Sequence, residues 1–267
     1  MILLQKLAKQ FGALFLGAAF FSQCVNASEI ETFDQYLNEL QRLSAIKTPR
    51  ASVASISSGF GASGGQSYIA VSYSSHDTQT SGQDDDGSIA LGYGLGNPSE
   101  ALGLELTASI TSVSTSFWGD GKFADEGNIS LKLHKRIEPI GLGAAASISL
   151  GASNLVGWGG TREVPTNYNL SYSALGYIGA YNQYAYNITF GYGSAVANVE
   201  KEGAVFYGIG IGSGDFSGSI AYNGDEVNLG VTYFVPNVSG ASLGIILGDA
   251  TGSNDRKRTM VTIAKSW

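Results

Sequence analysis

The 267-residue sequence holds only two histidines, His76 and His134, so a site built on an imidazole has few places to form. His76 stands in the run Ser74-Ser75-His76-Asp77, where hydroxyls, an imidazole and a carboxylate are chain neighbours. A nucleophile beside a base is what a lipid-modifying enzyme needs near the membrane surface. Short Ser/His/Asp runs are also common in polar loops. We therefore predict that the protein is not an enzyme. A lipid-modifying enzyme stays open as the second alternative to the main functional hypothesis, which is developed below.

The second histidine belongs to a group of charged residues with strand spacing. One face of a predicted strand at 127–137 carries Lys132, His134 and Arg136. On the preceding predicted strand, Glu105 is expected to point to the same side of the sheet. We predict that these four residues form a charge cluster inside the protein. Two roles stay open: an internal ion-pair network that fixes the fold or neutralises a helix inside it, and a basic constriction that selects anions.

Two acidic runs could bind a divalent cation through carboxylate oxygens. They lie at 83–87 and 119–126, and neither has the spacing of a dedicated calcium loop. The Gly-x-Gly run at 208–212 alternates within a predicted strand, and no helix follows it to receive a phosphate. We therefore expect no metal and no cofactor.

Composition limits the class of protein further. Hydrophobic residues make up 43% of the chain and charged residues only 14%, which excludes a highly charged disordered chain. The 37 glycines show no G-X-Y period, so collagen is excluded. The formal net charge of −7 argues against a nucleic-acid-binding protein, and we expect no nucleic-acid partner.

Most of the chain repeats one pattern, in which about ten residues alternate between apolar and small or polar types before a turn. Val227, Leu229 and Val231, for example, alternate with Asn228 and Gly230. Twelve such segments can be placed, at 67–75, 87–96, 101–113, 127–137, 140–150, 168–180, 184–194, 203–212, 216–223, 226–235, 241–249 and 258–267.

The connections between these segments differ in length by parity. Those after even-numbered segments are short, such as 97–100 and 181–183, whereas most of those after odd-numbered segments are long, such as 114–126 and 151–167. Short turns at one end and long loops at the other are typical of a transmembrane β-barrel. The sequence therefore predicts an all-β fold, a single antiparallel transmembrane barrel of about twelve strands over 67–267. A soluble secreted β-sandwich is the competing fold.

Residues 1–27 have the features of a cleaved export signal. Lys6 and Lys9 precede an apolar stretch, and the residues at 25–27 end with the small side chains that signal peptidase recognises. Cys24, the only cysteine, precedes this cleavage position, so we expect a mature chain without disulfides.

Between 28 and 48 apolar residues recur three or four positions apart, which predicts a short amphipathic periplasmic helix. This helix either packs on its own protein or acts as a docking element or a plug. The residues that would fill the lumen in the plug interpretation are Ile30, Phe33, Leu37 and Leu40. The Ser/Gly-rich segment at 49–66 is predicted to be a linker.

The last ten residues resemble the terminal strand of bacterial outer-membrane β-barrels. In that class the chain commonly ends on an aromatic residue, with outward apolar residues at alternate positions before it. Trp267, Ile263 and Val261 match this pattern, and Lys265 departs from it. The resemblance implies export to the bacterial outer membrane, insertion by the outer-membrane assembly machinery, and contact with outer-membrane lipid and lipopolysaccharide. The basic run at 256–258 could bind lipopolysaccharide phosphates.

The predicted inward faces carry mostly Gly, Ala, Ser, Thr and Asn, and this suggests a function. Space lined by such residues is more naturally hydrated than packed, so the first hypothesis is a porin-like passive channel for small hydrophilic solutes. The alternative is a non-conducting structural or surface-interaction barrel plugged by its N-terminal helix. The sequence specifies neither the solute nor the oligomeric state.

Overall fold

The computed structural model describes residues 50–76, 86–113, 124–140, 143–179, 182–194 and 203–267. The predicted export signal and amphipathic helix, with its four candidate plug residues, lie outside this part of the chain. The strands are β1 Ser67–His76, β2 Asp86–Gly96, β3 Gly103–Val113, β4 Gly127–Ile137, β5 Ala145–Trp158, β6 Asn167–Ile178, β7 Tyr184–Gly193, β8 Ala204–Ser213, β9 Phe216–Tyr222, β10 Val227–Phe234, β11 Ala241–Gly248 and β12 Arg258–Ser266. One short 3₁₀ helix, Gly159–Glu163, follows β5.

The twelve strands form a closed antiparallel barrel in which each strand pairs with its neighbours in the chain. The first and last strands close the ring, with Tyr68 opposite Ser266 and the register continuing to the loop end of both strands. Backbone N–H groups of Ser67 and Trp267 donate to each other's carbonyl oxygens, at 3.2 and 2.9 Å. Because the ring has no open edge, the strands can pair their backbone groups without water. The predicted single barrel of about twelve strands is confirmed.

Side chains alternate between an apolar exterior and a small or polar interior. Leu150 and Ile263 face outward and are 61% and 58% exposed, whereas the inward Ser171 and Asn187 are fully buried. A soluble protein buries its apolar residues, so this inverted arrangement fits a barrel surrounded by lipid and not a soluble sandwich. The described residues include no helix long and apolar enough to span a membrane.

The two ends of the barrel differ, as the connection lengths predicted. Strands β8 and β9 are joined through residues 214–215, whereas β11 and β12 are joined through 249–257. We call the first the turn end, where Ser67 and Trp267 meet, and the second the loop end. Outward aromatic residues gather near both ends, such as Phe216 with Tyr233, whose ring centroids are 4.9 Å apart at the turn end. These positions correspond to the two membrane interfaces.

Strand β5 differs from its predicted range of 140–150. It starts at Ala145 and continues to Trp158. Asn154 has a φ of 58°, and the register with β4 shifts between Ile129 and Leu131. A bulge of this kind places two residues opposite one and interrupts the alternation, so the second half of β5 lacks the period-two signal in the sequence.

Candidate functional site

The interior of the barrel is occupied by the segment that precedes β1. We call residues 50–64 the arch, with a first limb at 50–54, an apex at 55–58 and a second limb at 59–64. The residues from 51 to 60 are all buried. The arch rises from the turn end along β8–β10, crosses beneath the loop end of β6 and returns along β5, β4, β3 and β2. The segment interpreted as a linker therefore lies inside the lumen.

The two feet of the arch both stand at the turn end. The Arg50 guanidinium lies 5.4 Å from the centroid of the Phe234 ring, at the end of β10. At the other foot, the backbone N–H of Gly64 donates to the Gly96 carbonyl at 2.7 Å, at the end of β2. The segment thus enters and leaves the lumen on the same side, and it then turns directly into β1.

Hydroxyl groups of β9 and β10 hold the first limb. The backbone N–H groups of Ser52 and Ala54 donate to the Oγ atoms of Ser217 and Ser219, at 3.0 and 3.2 Å. The Ser52 hydroxyl lies 3.0 Å from the Thr232 hydroxyl. Alternate residues of β9 therefore bond to alternate residues of the arch, as a neighbouring strand would, but through side chains.

Inward glycines of β8 give the first limb its space. A Cβ atom at Gly210 would collide with the Ser52 carbonyl oxygen, and one at Gly212 would collide with the Arg50 carbonyl oxygen. Gly244, which also faces inward but lies away from the arch, would place its Cβ no closer than 3.8 Å to any atom outside its own neighbours. The small inward residues of β8 therefore leave space for a polypeptide backbone, and the prediction that they line a wet space is not what this part of the wall shows.

Apolar packing and a left-handed backbone occur where the first limb passes into the apex. Val53 and Ile56 pack with Phe206 and Ala221 in a buried cluster on the β8–β9 wall. Ser55 between them has a φ of 64°, the conformation that reverses the direction of the arch. Apolar contact therefore fixes the apex at two points of the wall.

Three residues of the predicted charge cluster meet on the second limb. The Lys132 ammonium donates to the Phe60 carbonyl at 3.2 Å, and the Ala62 N–H donates to the Glu105 carboxylate at 2.7 Å. The Nε2 atom of His134 lies 3.0 Å from the Ala62 carbonyl oxygen. All three side chains are buried. The inward face that the sequence pattern assigned to them is the face they occupy, and their partner is the arch main chain.

The fourth cluster residue, Arg136, lies one pleat nearer the turn end. Its backbone N–H donates to the Pro98 carbonyl at 2.9 Å, and its side chain is partly buried. Strands β5 and β6 also hold the apex and the second limb, because Ser149 donates to the Ser58 carbonyl at 3.1 Å and Ser173 accepts from the Gly59 N–H at 2.8 Å.

A second polar group lies at the loop end. Arg258 makes a buried, two-nitrogen ion pair with Glu226, and Arg256 pairs with Asp225 at 2.8 Å. The Asp249 carboxylate accepts from the backbone N–H of Arg256 at 3.0 Å. Two cations of the basic run at 256–258 are thus held by carboxylates of the β9–β10 connection. Their proposed contact with lipopolysaccharide phosphates would require these pairs to rearrange.

The hydroxyls of the Ser74-Ser75-His76-Asp77 run do not share one site. Ser74 faces the lumen and is fully buried, whereas Ser75 is on the opposite face of β1. His76 ends β1, and Asp77 lies outside the described residues. Within the described ranges, no group of three His, Cys, Asp or Glu residues is placed to hold a metal ion.

The terminal strand has the outward pattern that its sequence suggested. Val261 and Ile263 face the lipid side, and Trp267 is exposed at the turn end. The Lys265 ammonium bends to the Ser239 carbonyl in the neighbouring turn and lies 5.9 Å from the Trp267 ring centroid. A lysine is accommodated here because its long stem covers apolar surface while its charge reaches the interface.

Comparison with known proteins finds similar solved structures at low sequence identity. No protein-family model matches it, and no curated protein matches it. Similar solved structures include the KdgM porin, with 10% identity over 75% of this chain and 99% of that chain and a TM-score of 0.46. The Acinetobacter baumannii outer membrane protein Omp33 has 10% identity over 76% and 98%, with a TM-score of 0.42. The COG4313 outer membrane channel from Pseudomonas putida F1 has 14% identity over 78% and 97%, with a TM-score of 0.44. At this level of similarity, function has to be argued from the geometry of the barrel itself.

Proposed function

We propose that the protein is a porin-like barrel of the bacterial outer membrane whose passage is closed by its own arch. The observation that carries this proposal is the burial of the inward side chains. Ser147, Ser171, Ser173 and Asn187 line the middle of the lumen, and each is fully buried. A water-filled pore would leave such side chains exposed to its water.

The lumen wall nevertheless has the chemistry of a hydrophilic passage. The hydroxyls of Ser109 and Thr111 and the Nδ2 atom of Asn187 are buried and have no hydrogen-bond partner among the described residues. Buried polar groups without a partner cost free energy that water would recover. Movement of the arch would let water reach such polar groups. This supports a channel that opens and closes, in preference to a barrel that is permanently filled.

The charge cluster supplies a selectivity for the opened state. Lys132 and Arg136 carry two positive charges at the turn-end half of the lumen against one negative charge at Glu105, so this half would be a basic constriction favouring anions. In an opened variant, the reversal potential in a salt gradient should show anion preference, and Lys132→Gln should reduce it. A cation preference that Lys132→Gln leaves unchanged would remove the selectivity proposal.

The outer surface supports the proposed location and partners. The apolar exterior supports contact with outer-membrane lipid, and Val261, Ile263 and Trp267 support recognition of the terminal strand by the outer-membrane assembly machinery. We propose lipopolysaccharide as the neighbour of the loop end. Retention of the protein in outer-membrane fractions until detergent is added checks the location, and release by salt or carbonate alone would contradict it.

Conductance in planar lipid bilayers tests the closed passage. Gly59 lies on the second limb, outside every strand, and a Cβ there would collide with the Ser147 carbonyl oxygen and the Ser173 nitrogen. We expect the full chain to be silent and Gly59→Val to conduct, since the larger residue cannot dock. Gly244→Ala is the matched control and should stay silent. Steady conductance of the unmodified chain, equal to that of Gly59→Val, would contradict the proposal.

A further inference from the structure

The wall binds the arch mainly through the arch main chain. Four backbone N–H groups of the arch donate to wall side chains, and three of its carbonyl oxygens lie within hydrogen-bond distance of wall side chains. The N–H groups are those of Ser52, Ala54, Gly59 and Ala62, and the carbonyls are those of Ser58, Phe60 and Ala62. Main-chain groups are common to all peptides, so the wall recognises an extended backbone more than a particular set of polar side chains.

Specificity for the peptide sequence comes from the arch positions at which the wall leaves no room for a side chain. A Cβ at Gly59 would collide with β5 and β6 backbone, and a Cβ at Gly61 would lie 2.7 Å from the His134 ring. Phe60 between them is 2% exposed, and Val53 of the first limb and Ile56 of the apex pack in the apolar cluster with β8 and β9. A peptide that fits this wall therefore needs the motif Gly-aromatic-Gly and two aliphatic side chains four and seven residues before the aromatic one.

We propose that the lumen wall is a binding site for a peptide with two extended limbs joined by a reversal, and that the arch is its resident ligand, tethered to β1. The wall side chains that bond these seven main-chain groups all belong to strands, while the arch itself contributes no strand to the ring. The site can therefore persist when the arch leaves, and a peptide with the sequence of residues 50–64 would bind it in trans. The inference deepens the closed-channel function, because the same exchange would close an opened barrel.

The tether explains why a free peptide would not compete with the intact arch. A segment joined directly to β1 acts at an effective concentration in the millimolar range. Binding in trans therefore has to be measured on a chain whose own arch cannot dock. Gly59→Val meets this need, because it changes the ligand and leaves every side chain of the wall in place.

The experiment titrates detergent-solubilised Gly59→Val full chain with a fluorescently labelled synthetic peptide of residues 50–64 and follows its anisotropy. We expect saturable binding, at least about tenfold tighter than to the unmodified chain, whose site is occupied. The same peptide carrying Gly59→Val is the control and should bind at least about tenfold more weakly than the unmodified peptide. Equal binding of the two peptides, or no saturable binding, would overturn the proposal.

A folding control and a second variant accompany the titration. Heat-modifiable migration in SDS gels reports whether each variant forms the barrel, and Gly61→Val, which displaces only a side-chain ring, replaces Gly59→Val if that variant does not fold. Failure of both to form a barrel would show that the arch is an obligatory core, which would overturn a separable site. If the unmodified chain conducts, the closed-channel function fails, but anisotropy still measures peptide binding independently.

Discussion

The two limbs of the arch are held by different chemistry. The first limb is bonded to the neutral hydroxyls of Ser217 and Ser219 and fits over glycines of β8, whereas the second limb is bonded to buried Glu105 and Lys132. Hydrogen bonds to charged groups contribute about 1.5–3 kcal/mol, and neutral ones about 0.5–1.5 kcal/mol. The second limb is therefore expected to be the anchor and the first limb the part that releases more easily, so the proposed opening should begin along the β8–β10 wall.

The largest effect should follow removal of the Glu105 carboxylate. Glu105→Ala deprives the Ala62 N–H of its acceptor. It also removes the carboxylate that lies opposite the buried Lys132 on β3. We expect the free energy of unfolding, measured by urea titration in lipid vesicles, to fall by about 3 kcal/mol. Glu105→Gln keeps an acceptor oxygen and should lose less than half as much. Equal losses would show that shape, not charge, holds the second limb.

A smaller loss is expected at Lys132. Lys132→Met keeps the length of the side chain but removes the bond to the Phe60 carbonyl, and should cost about 1.5–3 kcal/mol in the same titration. Lys135, on the outward face of the same strand, is the matched control because its ammonium bonds an exposed turn carbonyl at Ala101. Lys135→Met should cost less than about 1 kcal/mol. A larger loss at Lys135 would contradict the anchor.

The contact between the first limb and β8 can be tested by filling the space that the glycines of β8 leave for it. Gly210→Ala should force the Ser52 carbonyl away from β8, at a cost of about 1–3 kcal/mol, and brief openings that the unmodified chain lacks should appear in planar bilayers. Gly244→Ala, with open space at its Cβ, should change stability by no more than about 0.5 kcal/mol. Identical records for the two variants would show that the glycines of β8 do not serve the arch.

The smallest effect is expected at Ser217. Ser217→Ala removes one neutral acceptor from the Ser52 N–H and should cost about 0.5–1.5 kcal/mol, with the appearance of rare brief openings as the functional readout. Ser99→Ala, in an exposed turn, is the control and should leave both measurements unchanged. If Ser217→Ala exceeded Glu105→Ala in its effect, the order of the two limbs would be reversed.

The strands could be predicted because lipid imposes an outward apolar residue at every second position, and Val231 or Ile263 shows that directly. The second half of β5 could not, because the bulge at Asn154 breaks the alternation. Lys132, His134 and Glu105 were assigned to the inward face by parity alone, and they lie there. Their partner could not be assigned, since backbone groups of an arch leave no mark in the sequence.

The arch itself escaped prediction for a compositional reason. A segment that packs against a wall of Ser, Gly and Asn is itself small and polar, so residues 50–64 have the composition of a flexible linker. The signal that could have identified it is the match between the inward glycines, such as Gly210, and a segment able to contribute a bare backbone. That match becomes visible only once the register of the strands is known.

Chemical labelling of a lumen-facing residue tests most directly whether the arch fills the lumen. Ser171 lies fully buried between Asn169 and Ser173, which bond to the apex and the second limb. In a Ser171→Cys variant with Cys24 removed or cleaved, a membrane-impermeant thiol reagent should react about 100-fold more slowly than with Ser99→Cys in an exposed turn, and Gly59→Val should abolish that protection. Labelling of Ser171→Cys at the rate of Ser99→Cys, with the arch unaltered, would contradict an arch-filled barrel.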